Sequence, residues 1–178
     1  MSKTLNMLFA GFGGQGILFA GKVVAYSGLM EGMEISWLPS YGPEMRGGTA
    51  NCSVCLSDKP IGSPLVTAPD ALVAMNLPSL DKFIDSVKPG GTVVIDSSII
   101  IKKIERTDIN VHYVDATELA SKNDLKGLAN IILVGKLYKE LGFCSLESLE
   151  GAILKSVPPR KSDLIESNRK AIKIGSES

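Results

Sequence analysis

A short apolar run, Thr4 to Ala10, breaks directly into Gly11-Phe-Gly-Gly-Gln-Gly16, and this junction narrows the choice of fold more than any other part of the chain. The run reads as a strand. A helix is expected to follow from about Gly14 to Met30, because Ile17, Ala20, Gly21, Val24 and Gly28 recur at helical spacing. Three of these positions are small, so the helix can lie close on a sheet. Gly11, Gly13 and Gly16 match G-x-G-x-x-G in the strand-to-helix setting where that pattern has a mechanism. The glycines permit a tight turn, and the helix start offers N–H groups and a positive dipole end to a phosphate. Gly11, Gly13, Gly14, Gln15 and Gly16 are therefore a candidate phosphate loop. The same glycines also serve simply to seat the helix against the strand, and the spacing leaves both readings open.

Further along, apolar runs alternate with helical patterns. Glu34 to Leu38 reads as a second strand. Thr49 to Ser57 alternates, with Ala50, Cys52, Val54 and Leu56 on one face, and reads as a half-buried strand. The stretch before it is too short for a crossover helix, so an antiparallel neighbour is expected there. Asp70 to Met75, Thr92 to Asp96 and Val111 to Asp115 complete the strands. Ile99 to Arg106 reads equally well as strand or loop. Helices are expected after Asn76, from Ala116 to Ser121, from Leu128 to Leu141, from Leu146 to Val157 and from Asp163 to Ile174, with a frayed tail from Gly175. The helix at Leu128 to Leu141 is apolar almost all round, which places it centrally or against another chain. The pattern predicts a single domain over residues 1–178: a Rossmann-like α/β fold with an open, mostly parallel sheet, helices on both faces and one antiparallel strand.

Composition removes several function classes. Nineteen basic residues balance nineteen acidic ones, which argues against a broad nucleic-acid surface. No apolar run approaches the ~20 residues of a membrane span, and no signal-peptide core is visible. The cytoplasm is the simplest compartment. A mean hydropathy of +0.18 points either to a buried partner interface or to a sheet covered on both faces.

The segment Tyr41-Gly-Pro-Glu-Met-Arg-Gly-Gly48 follows the second strand at the end where open α/β sheets bind ligands. Arg46 can meet a phosphate, a carboxylate or a partner's acid, and Glu44 can act as acid, base or ion-pair partner. An ordinary surface ion pair with turn glycines is the bland reading. A nicotinamide site would need an acidic residue at the end of the second strand to hold the ribose. That stretch is Ile35-Ser-Trp-Leu-Pro39, and Glu34 stands at its wrong end. An independent NAD(P)-dependent oxidoreductase and a non-enzymatic nucleotide-binding module are the rival readings.

Cys52 and Cys55 are three apart on a strand, so their side chains face opposite ways and cannot share a metal. Cys144 stands alone. His112 is the only histidine, so neither a His-based triad nor a two-His metal site can be assembled. The residues supply no catalytic set and no metal site.

Gly11-Phe-Gly-Gly-Gln-Gly-Ile-Leu18, taken with Ser40-Tyr-Gly-Pro-Glu-Met-Arg-Gly-Gly-Thr-Ala-Asn-Cys-Ser-Val54 and Ile61-Gly-Ser-Pro-Leu-Val66, resembles the gamma subunit of 2-oxoacid:ferredoxin oxidoreductases. The wording at Gly42 to Gly48 is most similar to the 2-oxoglutarate branch, with branched-chain and pyruvate versions as alternatives. The resemblance implies an enzyme that converts a 2-oxoacid, coenzyme A and oxidised ferredoxin into an acyl-CoA, carbon dioxide and reduced ferredoxin. It implies thiamine diphosphate, magnesium and iron–sulfur clusters held by partner alpha, beta and delta subunits, no cofactor held by this chain, and coenzyme A as co-substrate. It also implies that Tyr41, Glu44, Arg46, Gly47 and Gly48 line a substrate or interface loop, and that the isolated chain does not turn over. Self-association of the isolated chain is expected if the apolar helix at Leu128 to Leu141 is uncovered.

Overall fold

A computed structural model of the chain describes residues 4–40 and 49–178. Six strands form one sheet: β1 (Thr4–Phe12), β2 (Glu34–Ser40), β3 (Thr49–Ser57), β4 (Ala71–Ala74), β5 (Thr92–Asp96) and β6 (Asn110–Val114). Their spatial order is β2-β3-β1-β4-β5-β6. β1, β4, β5 and β6 run parallel, while β3 is antiparallel to both β1 and β2. The antiparallel neighbour expected at Thr49 to Ser57 is thus present, and it inserts between the first two strands.

Helix α1 (Ile17–Met30) packs on β1, β2 and β3. It starts at Ile17 and not at Gly14 because Gly14 and Gly16 take φ of 93° and 74°, outside any right-handed helix. α3 (Ala116–Lys122), α4 (Ala129–Leu141), α5 (Leu146–Ser156) and α6 (Leu164–Glu177) gather on the same side as α1. Among the described residues, the α-helix on the other side is α2 (Leu77–Phe83), capped by Asn76 Oδ1 accepting from the Ser79 N–H at 2.8 Å. Ile100, Ile104 and Ile109, from the connection between β5 and β6, extend that second core. Ile99 to Arg106, read as strand or loop, is an irregular strap with Ile100 buried and Ile101 90% exposed.

Two expectations change, and one pair of alternatives is decided. The strand from Thr49 to Ser57 is not half-buried. Cys52, Val54 and Leu56 pack toward α1, while Ser53, Cys55 and Ser57 lie under the connection that follows β3. Those serines are polar because they serve its backbone: Ser53 Oγ accepts from the Val66 N–H at 3.2 Å, and Ser57 Oγ from the Lys59 N–H at 3.1 Å. Second, α4 is central. α6 covers it, and Ile131, Ile132, Leu133, Val134 and Leu137 are fully buried. The helix therefore supplies no uncovered face for self-association. Third, the tail is not frayed. α6 runs to Glu177, and buried Gly175 sits against the Ile132 carbonyl of α4. Gly135 makes the reciprocal close approach to the Ile172 carbonyl, so the two helices meet backbone to backbone.

Candidate functional site

Chain direction reverses its route between β1 and β4. From β1 the chain passes through α1 to β2 and β3 on one side, and from β4 it moves away to β5 and β6 on the other. This is a topological switch point, and a crevice opens there at the carboxyl ends of the parallel strands. The glycine loop sits on it.

Gln15 bridges the gap. Its Oε1 accepts from the Phe12 N–H at 2.6 Å, and its Nε2 donates to the Met75 carbonyl at 2.9 Å. One side chain thus ties the end of β1 to the end of β4. Asn130, in the first turn of α4, donates from Nδ2 to the Gly16 carbonyl at 2.9 Å and pins the loop from behind. Space explains two of the glycines. A Cβ on Gly11 would stand 2.7 Å from Gln15 Oε1, and one on Gly16 would collide with Asn130 Nδ2. Gly14 is different, since nothing lies within 4 Å of where its Cβ would be.

Two openings flank the loop. A hollow of about 270 Å³ lies at the start of α1, lined by Phe12, Gly13, Gly16, Leu18 and Ala50 among others. Gly16 caps that helix without a side-chain hydrogen bond, and its first turn carries no acidic residue. On the opposite side, a cleft of about 570 Å³ separates the loop from α3 and the α3–α4 connection. Gly14 lines both. Sequence reasoning missed the far wall of this cleft, which includes Thr117, Ser121, Asp124 and Lys126. Its one signal is the turn-rich run Asn123-Asp-Leu-Lys-Gly127 between two helical patterns.

Tyr41, Glu44, Arg46, Gly47 and Gly48 lie outside the described residues. The chain on either side of them is placed. Ser40 ends β2 opposite Asn51, and Thr49 opens β3 opposite Phe12. Both ends of the segment therefore leave the sheet at the carboxyl edge that carries the glycine loop.

Glu34 opens β2 opposite Ser57, at the other edge of the sheet. In addition, β3 stands between β1 and β2, moving β2 a further ~5 Å from the loop. Among the described residues, the carboxyl end of β2 carries no acidic side chain to make the ribose contact of a nicotinamide site.

The cysteines point away from chemistry. Burial pushes the Cys52 thiol up to about 12, and its Sγ donates to the Ile17 carbonyl at 3.6 Å under α1. Cys55 is raised by burial and then by Asp70, on the opposite face. Cys144 is pushed up to about 11, again by burial. Cys52 and Cys55 cannot converge on a cluster or a metal, and no group of three or more His, Cys, Asp or Glu among the described residues is arranged to hold one. No helix among those residues is long and apolar enough to cross a membrane.

Comparison with known proteins agrees with this geometry. A family model described as pyruvate ferredoxin/flavodoxin oxidoreductase matches residues 6–178. The chain is 39% identical over 161 residues to the 2-oxoglutarate synthase subunit KorC of Methanocaldococcus jannaschii, covering 89% of this chain and 85% of that one. It is 40% identical over 175 residues to the ketoisovalerate oxidoreductase subunit VorA of Methanothermobacter thermautotrophicus, covering 97% of this chain but spanning 36% of VorA. The crystal structure of the gamma subunit of a keto/oxoacid ferredoxin oxidoreductase from Geobacter sulfurreducens superposes with a TM-score of 0.83 at 30% identity, over 97% of this chain and 96% of that one. A strand–glycine-loop–helix junction clamped by Gln15, an inserted antiparallel strand and a match along nearly the whole length lead to one conclusion: the chain belongs to the pyruvate ferredoxin/flavodoxin oxidoreductase family.

Proposed function

We propose that this chain is the gamma-type subunit of a multi-subunit 2-oxoacid:ferredoxin oxidoreductase acting on 2-oxoglutarate. The assembled enzyme oxidises the 2-oxoacid with loss of carbon dioxide, passes the acyl group to coenzyme A and delivers the electrons to ferredoxin. Thiamine diphosphate, magnesium and the iron–sulfur clusters belong to alpha, beta and delta partners, and the complex works in the cytoplasm. Thiamine diphosphate supplies the carbanion chemistry when bound in those partners. This chain shapes one wall of the cleft.

The observation that carries the reading is the shared edge. The glycine loop and both ends of the Tyr41 to Gly48 segment leave the sheet side by side. Arg46 then pairs with an anion there, either the substrate carboxylate or a carboxylate of a partner chain, and Glu44 supports it. Tyr41, Gly47 and Gly48 frame the entrance. The start of α1 receives a phosphate of coenzyme A, through the N–H groups that Gly13, Gly14 and Gly16 leave approachable.

A second reading, a branched-chain 2-oxoacid as substrate, draws on the 40% identity with VorA, which equals that with KorC to within one percent. Co-purification with the partner chains followed by ferredoxin reduction over a panel of 2-oxoacids separates the two. Preference for 2-oxoglutarate sustains the first reading; preference for 2-oxoisovalerate replaces it. Failure of any 2-oxoacid to reduce ferredoxin in an intact complex would overturn both. Within that complex, Arg46→Ala should raise KM by roughly tenfold or more, the loss of a charge-assisted contact. Unchanged KM and kcat with intact assembly would remove Arg46 from the site.

A further inference from the structure

We propose that the patch of Leu77, Ile99 and Ile101 beside the start of α2 is where a partner chain of the oxidoreductase docks, through an apolar socket with carboxylates at its rim. The proposal rests on the reading of this chain as one subunit of that complex, and it names the surface that meets the neighbour.

Ile101 is the anomaly, 90% exposed in a strap whose preceding residue, Ile100, is buried. Ile99, 44% exposed, turns outward with Ile101 on either side of that buried residue. Leu77, 40% exposed, joins them through an ion pair. Lys102 Nζ stands 2.6 Å from Asp81 Oδ1, and Asp81 follows Leu77 by one turn on the same face of α2. The strap is firmly held. Ile100 packs in the second core and its N–H donates to the Asp96 carbonyl at 2.9 Å, while the Ile104 N–H donates to Tyr113 Oη at 2.8 Å. Ile101 is therefore presented at a fixed position, and docking it costs little chain entropy. A single exposed leucine is ordinary on a protein surface. Three large apolar side chains at one place, one of them nearly bare, mark an interaction surface.

Position and charge choose the occupant. Along the carboxyl edge of the sheet, both ends of the Tyr41 to Gly48 segment, the end of β1, Leu77 and the strap follow one another in the strand order β2-β3-β1-β4-β5. Leu77 comes two residues after Met75, whose carbonyl Gln15 holds. A chain that closes over the cleft from this edge meets the patch in the same approach. Lys102 and Lys103 follow Ile101 directly, and Lys82 adjoins Asp81. Lys82 and Lys103 lie over the rings of Phe83 and Tyr113 and make no ion pair among the described residues. Asp85 and Glu105 also act on the Lys102 charge, but they stand farther from Ile101, one turn beyond Asp81 on α2 and four residues along the strap. A second copy related by a two-fold axis through Ile101 would press these lysines against their own copies. A neighbour with carboxylates around an apolar socket answers them.

The experiment compares amide hydrogen exchange of the chain alone with that of the complex co-purified with its alpha, beta and delta partners. The amides of Ile101, Lys102 and Lys103 make no hydrogen bond among the described residues, so they exchange freely in the isolated chain. In the complex their exchange should slow by roughly tenfold or more. Ile101→Asp should leave the melting temperature of the free chain within about 2 °C of wild type, because so exposed a side chain holds nothing in place. The same change should weaken association with the partners by roughly tenfold or more. Leu154→Asp, at an exposed position on α5, should leave association as it is. Unchanged exchange at those amides, or assembly of Ile101→Asp at wild-type strength, would overturn the proposal. So would a dimer of the free chain that Ile101→Asp dissolves, since the patch would then belong to a second copy. A complex active on a 2-oxoacid with the Ile101 amide still exchanging freely refutes the docking and spares the function. A complex that protects Ile101 but uses no 2-oxoacid does the reverse.

Discussion

Gln15 shows how one side chain can decide what a glycine loop is for. Its carboxamide satisfies a donor on β1 and an acceptor on β4, which no apolar or acidic replacement can do together. Gln15→Leu should cost about 1–3 kcal/mol, since the part-buried Met75 carbonyl loses its partner, while the exposed Phe12 N–H can turn to water. Gln15→Glu should cost a similar amount, because a carboxylate keeps the bond to the Phe12 N–H but faces the Met75 carbonyl with no proton to donate. Urea unfolding of the two variants checks this; wild-type midpoints would show that the clamp is dispensable. The motif was legible in the sequence as a strand, a glycine run and a helix. The clamp was not, because Met75 lies 60 residues away and its carbonyl is a backbone group with no sequence signature.

At the scale of elements, α4 and α6 approach each other closely. Gly135 and Gly175 let backbone meet backbone, where a methyl group would strike a carbonyl oxygen. Gly175→Ala gains helix propensity of about 1 kcal/mol but must push the helices apart. Overpacking costs of roughly 1–3 kcal/mol should win, and the chain should melt lower. A higher melting temperature would mean the helices have room. α4 also carries a pH response, this time with β6. On β6, burial lowers the His112 pKa from its ordinary 6.5, outweighing the pull of Glu140, while Lys136 on α4 opposes protonation as well. On α4, a hydrogen bond from Lys136 lowers the Glu140 carboxyl. Both groups bind protons more readily when unfolded, so stability is full above pH 6.5 and falls as the solution is acidified, first through His112 and then through Glu140. His112→Gln should flatten the upper part of that fall in denaturation midpoints measured from neutral pH downward. An unchanged profile would clear His112 of any part in it.

For the whole molecule, a single hydrogen-bonded sheet runs from β2 to β6 without a break. The larger core joins residues from β1 through α6, so no part can leave without opening it. The chain should therefore unfold as one cooperative unit, with calorimetric and van't Hoff enthalpies equal. A ratio well above one would divide it into separate domains. The two faces of the sheet are covered very unequally, by five helices on one side and by α2 with irregular straps on the other. This accounts for much of the high hydropathy: β3, β1, β4 and β5 are buried on both faces by this chain itself.

Sequence alone was enough for the class of fold, the identity of nearly every strand and helix, the antiparallel strand and the family. Those follow from local periodicity, turn chemistry and two short motifs, all readable along the chain. Tertiary structure decided the rest. It buried the supposedly open face of β3, covered α4 with a tail expected to fray, set β3 between β1 and β2, and raised a cleft wall from Ser121, Asp124 and Lys126 opposite the glycine loop. The physical reason is common to all four. Burial and convergence depend on which distant segment packs where, and a residue's own neighbours in sequence do not record that.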